Sequence, residues 1–319
     1  MKTLLQLSLC LLFALSLAAQ VPKGASENAA LRYWNAFAQM SDQKLTDSQI
    51  KHLEDIANGT APWDESAFGS LLDENRDAVV TMVRGTALPY CDWGVDYQLA
   101  DTAPIPQVGR GRALARLNAL TARRLAAQGK SREATDYLIA GIRFARDLST
   151  GMSLIGVLVG KFALTNDLNT AMELERSGQL SSEDKMRLAA TLRALPAGVF
   201  NWGHAIGLEA DVIDSVLRRL QKSDNPSKLL ETWGMQEAAK DSRLTDADIR
   251  QVRELMIQAE KLFSQTIMTS EEIHQLQQRV AKLRPVARAP IPSFQRTYER
   301  RKEQEDLRQK AIGVLSSRP

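Results

Sequence analysis

Cys91 stands in the stretch LPYCDWGVDY, residues 88–97, beside Asp92, Trp93, Gly94 and Asp96. A thiol acts as a nucleophile when its pKa is depressed, most often by a histidine base. The chain has three histidines, His52, His204 and His274. His52 and His274 sit in ordinary helical surroundings. His204, in NWGHAIGLEAD, is the candidate partner, because Trp202, Gly203 and Gly207 give it a small-residue setting suited to a cleft, and Glu209 follows. The chemistry of such a set is hydrolysis, by His204 with a nearby carboxylate such as Glu209, or by Cys91. Convergence of these groups in space is the first requirement.

The same residues support a purely structural reading. Leu88, Pro89, Tyr90, Trp93 and Tyr97 bury apolar area, Gly94 permits a turn and Asp92 caps it. Cys91 is then a small hydrophobe. Metal binding is not expected, since Cys91, Asp92 and Asp96 mix soft and hard ligands without a CxxC or HxxxH pair. The acids Glu209, Asp211 and Asp214, and Glu271 and Glu272 before His274, have no diagnostic spacing. Gly109, Arg110 and Gly111 match neither a phosphate loop nor a dinucleotide fingerprint, so no cofactor is expected.

The elements that must position these groups are helices. Apolar residues recur at steps of three and four, as at Ala134, Leu138, Gly141, Ile142, Ala145 and Leu148, and strand-like alternation is hard to find. Start signals repeat: Thr46 with Gln49, Thr245 with Asp248 and Thr269 with Glu272 each pair a cap with a side chain that reaches back. Asn225 before Pro226 marks another start. The fold class is all-α, an irregular helical bundle or a short solenoid of about a dozen helices. APIPQVGR at 103–110 and APIPSFQR at 289–296 read as two proline-stiffened approaches to helices. The C-terminal RTYERRKEQEDLRQK has a thin apolar stripe and reads as an exposed helix or a frayed tail.

The segment AAQGKSREATDYLIAGIRFA resembles a tetratricopeptide-type hairpin, with Gly129 in the turn and Ala134, Leu138 and Gly141 at small, large, small spacing. The resemblance covers one hairpin, 112–148, and does not recur at the period of 34 residues that the family uses. It implies helix-pair packing and a binding role. NAALRYWNAF and CDWG are similar to stretches of exported all-helical bacterial proteins of unassigned function. That likeness implies compartment and fold, and no site residues.

Lys2 followed by the apolar run Leu4 to Leu17, and then Ala18 and Ala19, is the pattern of a secretory signal peptide over residues 1–19. The run is shorter than the roughly 20 residues of a spanning helix. A periplasmic or secreted chain with no transmembrane helix after cleavage is expected, the alternative being a leader retained as an N-terminal anchor. Cys10 leaves with the leader, and the single remaining thiol closes no internal disulfide. The expected organisation is an acidic helical lobe at 20–101, a central helical domain at 102–284, and a proline-containing linker with a basic helix or tail at 285–319. Within the centre, Gly156 and Gly160 form a GxxxG in MSLIGVLVGKFAL, which reads as a helix buried on most sides, with close packing compensating for its glycines.

Net charge is +3, but its sign alternates along the chain. Residues 20–101 carry 6 Lys and Arg against 13 Asp and Glu, residues 102–150 carry 9 against 3, and residues 279–319 carry 11 against 4. The acidic lobe therefore complements the basic hairpin and helps to choose its docking. The alternative is a basic surface that meets an anion. Nucleic acid is excluded as a partner for an exported chain with an acidic third and no basic-aromatic module. The leading expectation is a non-enzymatic module that binds a protein or a cell-envelope component, with Asp92, Trp93, Arg112, Arg116 and Arg123 as candidate binding residues and a surface bearing Trp34, Trp63, Trp93 or Trp202. An envelope hydrolase and an apolar-ligand carrier with a closed cavity are the alternatives.

Overall fold

The computed structural model describes residues 27–41, 45–57 and 59–317, so the leader expected at 1–19 lies outside the described residues. Fifteen α-helices and no strand are present among them. They are α1 (Ala29–Gln39), α2 (Asp47–Ala57), α3 (Glu65–Glu74), α4 (Arg76–Gly85), α5 (Gln107–Ala127), α6 (Ser131–Ser149), α7 (Leu154–Arg176), α8 (Ser182–Arg193), α9 (Trp202–Lys222), α10 (Pro226–Thr232), α11 (Gln236–Ala239), α12 (Asp246–Phe263), α13 (Ser270–Ala281), α14 (Pro285–Arg288) and α15 (Phe294–Ser316). Among the described residues a single bridge pairs Asn28 with Tyr90. The all-α expectation holds. Helix lengths run from 4 to 23 residues, and no unit of fixed length recurs among the described helices.

Local chemistry sets most of the boundaries. Thr46 and Gln49 exchange the two contacts of a capping box, at 2.9 and 3.3 Å, and Thr245 with Asp248 and Thr269 with Glu272 do the same. Asn225 caps α10, with Pro226 at its first position. The two proline-stiffened segments lead into α5 and α15 as expected. Gly129, at φ +75°, makes the turn between α5 and α6.

The centre is a three-helix unit of α5, α6 and α7. Ala134, Leu138, Ile142 and Ala145 of α6 are buried, as the periodicity predicts. Helix α7 is buried nearly all round. A Cβ at Gly160 would stand 2.6 Å from the Ala145 carbonyl oxygen, and one at Gly156 would stand 2.7 Å from Met152 Cγ. The bare glycines therefore let the end of α6 and the start of α7 approach closely. Gly141 is bare for another reason: its missing Cβ would meet Asn118 Nδ2 at 2.5 Å and crowd the Asp167 carboxylate. Asn118 and Asp167 are fully buried there. Asn118 Nδ2 donates to the Tyr137 carbonyl at 3.0 Å and to Asp167 Oδ1 at 3.4 Å.

Helix α15 is where the structure departs most from the expected exposed helix or frayed tail. It runs unbroken for 23 residues and buries Phe294, Thr297, Arg301, Gln304, Arg308, Ala311 and Leu315. Those positions alternate steps of three and four, so one stripe faces the bundle, but four of the seven are polar. Arg301 donates to the carbonyls of Phe263 at 2.7 Å and Gln265 at 2.6 Å, at the end of α12. Arg308 donates to those of Leu192 at 3.0 Å and Leu195 at 3.1 Å, at the end of α8. Each guanidinium donates to carbonyls at or just beyond a helix end, where the helical hydrogen-bond pattern runs out. Buried apolar residues form one cluster from Ala29 to Leu315.

The acidic lobe and the basic hairpin meet as the charge pattern suggests. Arg116 pairs with Glu54 at 3.6 Å, and Arg124 pairs with Glu65 and, at 2.6 Å, with Asp73. These contacts fix α2 and α3 against α5. Exposed pairs of this kind contribute little stability but discriminate between orientations.

Candidate functional site

Cys91 lies in the core between α1 and α6. The Asn28 side chain clamps the turn, donating to the Asp92 carbonyl at 2.8 Å and accepting from the Asp92 N–H at 2.9 Å. Asp92 is exposed, and its carboxylate accepts from the Gly94 N–H at 2.9 Å, with Gly94 at φ +64°. Trp93 is buried, 6% exposed, stacked on Tyr33 and Phe37, and its indole N–H donates to the Asp147 carbonyl at 2.8 Å. Tyr33 OH donates to Asp147 Oδ2 at 2.5 Å, and Arg146 holds the other oxygen at 2.7 Å.

This network pins α1 to α6. Burial pushes the Cys91 thiol pKa up, and the negative charge of Asp147 pushes it further the same way. Both effects oppose the thiolate that a nucleophile requires. Trp93, a candidate binding residue, packs into the core and offers its ring to no surface.

His204 occupies the first turn of α9 and is exposed, with its backbone N–H capped by Asn201 Oδ1 at 3.1 Å. No hydrogen bond, ion pair or ring contact joins it to Cys91 or Glu209 among the described residues. No three His, Cys, Asp or Glu side chains come together there as a metal site either. Glu209 belongs to a different surface. It lines a cleft of about 380 Å³ together with Leu154, Ile155, Leu158, Trp202, Arg296 and Arg300, and His204 is not part of that lining.

Three helices begin at this cleft. Ser153 precedes α7, Asn201 caps α9, and Ser293 caps α15 by accepting from the Arg296 N–H at 3.3 Å. The positive ends of the three macrodipoles therefore point toward one region. Glu209 accepts from the Leu154 N–H at 3.3 Å. Burial raises its pKa, against the opposing pull of its hydrogen bonds to Ser153 and Leu154. Tyr97 braces the same start by accepting from the Ser153 N–H at 2.9 Å.

Leu154, Ile155, Leu158 and Trp202 form the apolar part of the lining, beside the polar Ser153, Ser293 and Thr297. Trp202 is buried, with its indole N–H on the Gly198 carbonyl at 3.2 Å, while Ile155 is left 39% exposed. On the rim, Arg296 and Arg300 are exposed, one helical turn apart on α15. Neither guanidinium has an ion-pair or hydrogen-bond partner among the described residues. Cations beside these apolar side chains suit an anion carried on an apolar stem.

The basic hairpin contrasts with this. Arg112 lies over the Phe162 ring at 4.6 Å, with Arg116 at 5.7 Å from the same ring. Arg123, another candidate binding residue, is buried and paired with Glu173. Arg132 pairs with Glu183 at 2.7 Å. These cations hold the bundle together. Trp34 and Trp63 are half-buried, Trp63 donating to Glu65 Oε2 at 2.9 Å. Among the described residues no helix is long and apolar enough to cross a membrane.

Glu209 and Trp202 were within reach of sequence reasoning, but Arg296 and Arg300 were not, being two cations in a block of eleven. What marks them is that neither forms an ion pair among the described residues, and spacing does not reveal that. No family model, curated protein or solved structure matches the chain.

Proposed function

We propose that the protein is a binding module whose cleft between α7, α9 and α15 receives an acidic segment of a partner protein, with an apolar side chain beside its carboxylates. The observation that carries this reading is the pair Arg296 and Arg300, without ion-pair partners beside the apolar side chains of the cleft, in a chain where Arg116, Arg123, Arg124 and Arg132 of the hairpin are paired internally. Arginine beside aromatic and aliphatic anchors is the composition of interface centres. The three helix starts add a positive potential of the same sign. Glu209 shares this cleft, where its carboxylate accepts from the Leu154 N–H and burial raises its pKa against the pull of that bond.

A hydrolase needs a nucleophile and a base together, and Cys91 and His204 sit apart, one in the core and one on a helix surface. The cleft is open to solvent, unlike a carrier's closed cavity. The leader pattern supports placing this interaction outside the cytosol.

The test is fluorescence anisotropy with a labelled peptide of alternating Glu and Leu, and with its Gln and Leu counterpart. The acidic peptide binds and the neutral one does not, and Arg296→Glu with Arg300→Glu weakens binding tenfold or more, since about 1.4 kcal/mol is tenfold in affinity. Equal binding of both peptides, or no effect of the double variant, overturns the proposal.

A further inference from the structure

A second cleft, of about 600 Å³, lies between α1 and α4. Its polar lining is Arg32, Asn35 and Gln39 from α1 and Thr81 and Arg84 from α4, with Leu88 at one edge. Residues 32, 35 and 39 recur at helical steps, so they share one face of α1, and 81 and 84 share one face of α4. Gly85 brings the two faces together: a Cβ there would stand 2.7 Å from Tyr33 Cε1 and 3.1 Å from Arg32 Cβ.

Two features set this groove apart from ordinary surface. It lies in the segment with 13 acids against 6 cations, yet two of those cations line it and no carboxylate does. None of the five polar side chains has an intramolecular side-chain hydrogen bond or ion pair among the described residues. Two guanidiniums offer fork geometry for an oxyanion. Two amides and a hydroxyl offer both donors and acceptors, as hydroxyl groups require. The size falls within the usual range for small-ligand sites.

We propose that this groove binds an anionic sugar, its phosphate or carboxylate held by Arg32 and Arg84 and its hydroxyls by Asn35, Gln39 and Thr81. The site shares no residue with the α7–α9–α15 cleft, so either proposal stands or fails without the other.

The test is isothermal titration calorimetry on the full chain with glucose 6-phosphate, glucuronate, inorganic phosphate and glucose. Glucose 6-phosphate, glucuronate or both bind, and which of them binds tells a phosphate from a carboxylate site. Glucose gives no heat and inorganic phosphate binds more weakly. Arg32→Ala with Arg84→Ala weakens the anionic sugar tenfold or more, the scale of a lost hydrogen bond to a charged group. Asn35→Ala with Gln39→Ala weakens the sugar but leaves inorganic phosphate unchanged. Arg32→Lys with Arg84→Lys, which keeps the charge and the fold, weakens the sugar by an intermediate amount. Absence of binding by both anionic sugars at millimolar concentration, or unchanged affinity in a folded alanine double variant, overturns the proposal. Inorganic phosphate binding as tightly as glucose 6-phosphate overturns the sugar assignment.

Discussion

Asp167→Asn tests the buried polar centre of the bundle. Asp167 is fully buried. Its one hydrogen bond comes from Asn118 Nδ2 at 3.4 Å, and its other oxygen has no partner. Burial holds the carboxyl well above the usual carboxylate range, and the Asn118 bond lowers it only in part. The unfolded chain releases this proton near pH 3.9, whereas the native chain keeps it. Between the unfolded and folded pKa values the native state binds one more proton, so unfolding free energy falls as pH rises, by about 1.4 kcal/mol per pH unit.

Stability from this group is thus fully present below the unfolded pKa and is lost as pH rises toward the folded one. Asparagine cannot ionise, and its carbonyl can still accept from Asn118. The assay is urea unfolding of both chains by circular dichroism at intervals from pH 4 to pH 8. Other titrating groups cancel in the difference between the two. The variant gains on the wild type as pH rises from 4, at the slope given, until the folded pKa is passed. A difference that stays constant across the range would falsify the account, because Asp167 would then ionise alike in both states.

Other perturbations follow from packing and capping. Gly160→Leu forces a side chain against the Ala145 carbonyl and costs about 3 kcal/mol through overpacking; an unchanged melting temperature removes this crossing from the core. Arg308→Met keeps the apolar stem but strips the donor from the Leu195 carbonyl and one donor from that of Leu192, at about 1–3 kcal/mol for the acceptor left unmade. A thermal melt at wild-type temperature contradicts that role. Cys91 in the native protein reacts with a thiol reagent only as fast as the chain opens, so mild urea accelerates labelling; rapid labelling without denaturant means that the thiol is not buried.

The parts of the fold legible in the sequence are those where burial and hydrophobicity coincide. Helix α6 is one, and the capping boxes at Thr46, Thr245 and Thr269 are others, since their geometry is local. Complementary charge between 20–101 and the hairpin also survived as Arg116 with Glu54 and Arg124 with Glu65 and Asp73. Helix α15 was hidden, because Arg301, Gln304 and Arg308 occupy its buried stripe and a polar residue at a buried position leaves no hydrophobic period. Its docking rests on guanidiniums that end other helices, a relation between residues more than 30 apart. The candidate site was half legible. Glu209 and Trp202 stood out by type, but the cleft arises only where α7, α9 and α15 begin side by side. His204 stood out equally and lies on an exposed turn.

The central claim is that Arg296 and Arg300 are open to a partner protein while Arg116, Arg123, Arg124 and Arg132 of the hairpin are paired internally. Nuclear magnetic resonance of the isotope-labelled chain, titrated with the Glu and Leu peptide, addresses it most directly. Shifts concentrated at Ile155, Leu158, Arg296 and Arg300 are the predicted result. Shifts centred on Arg112, Arg116 and Arg132, with the cleft unperturbed, would contradict it.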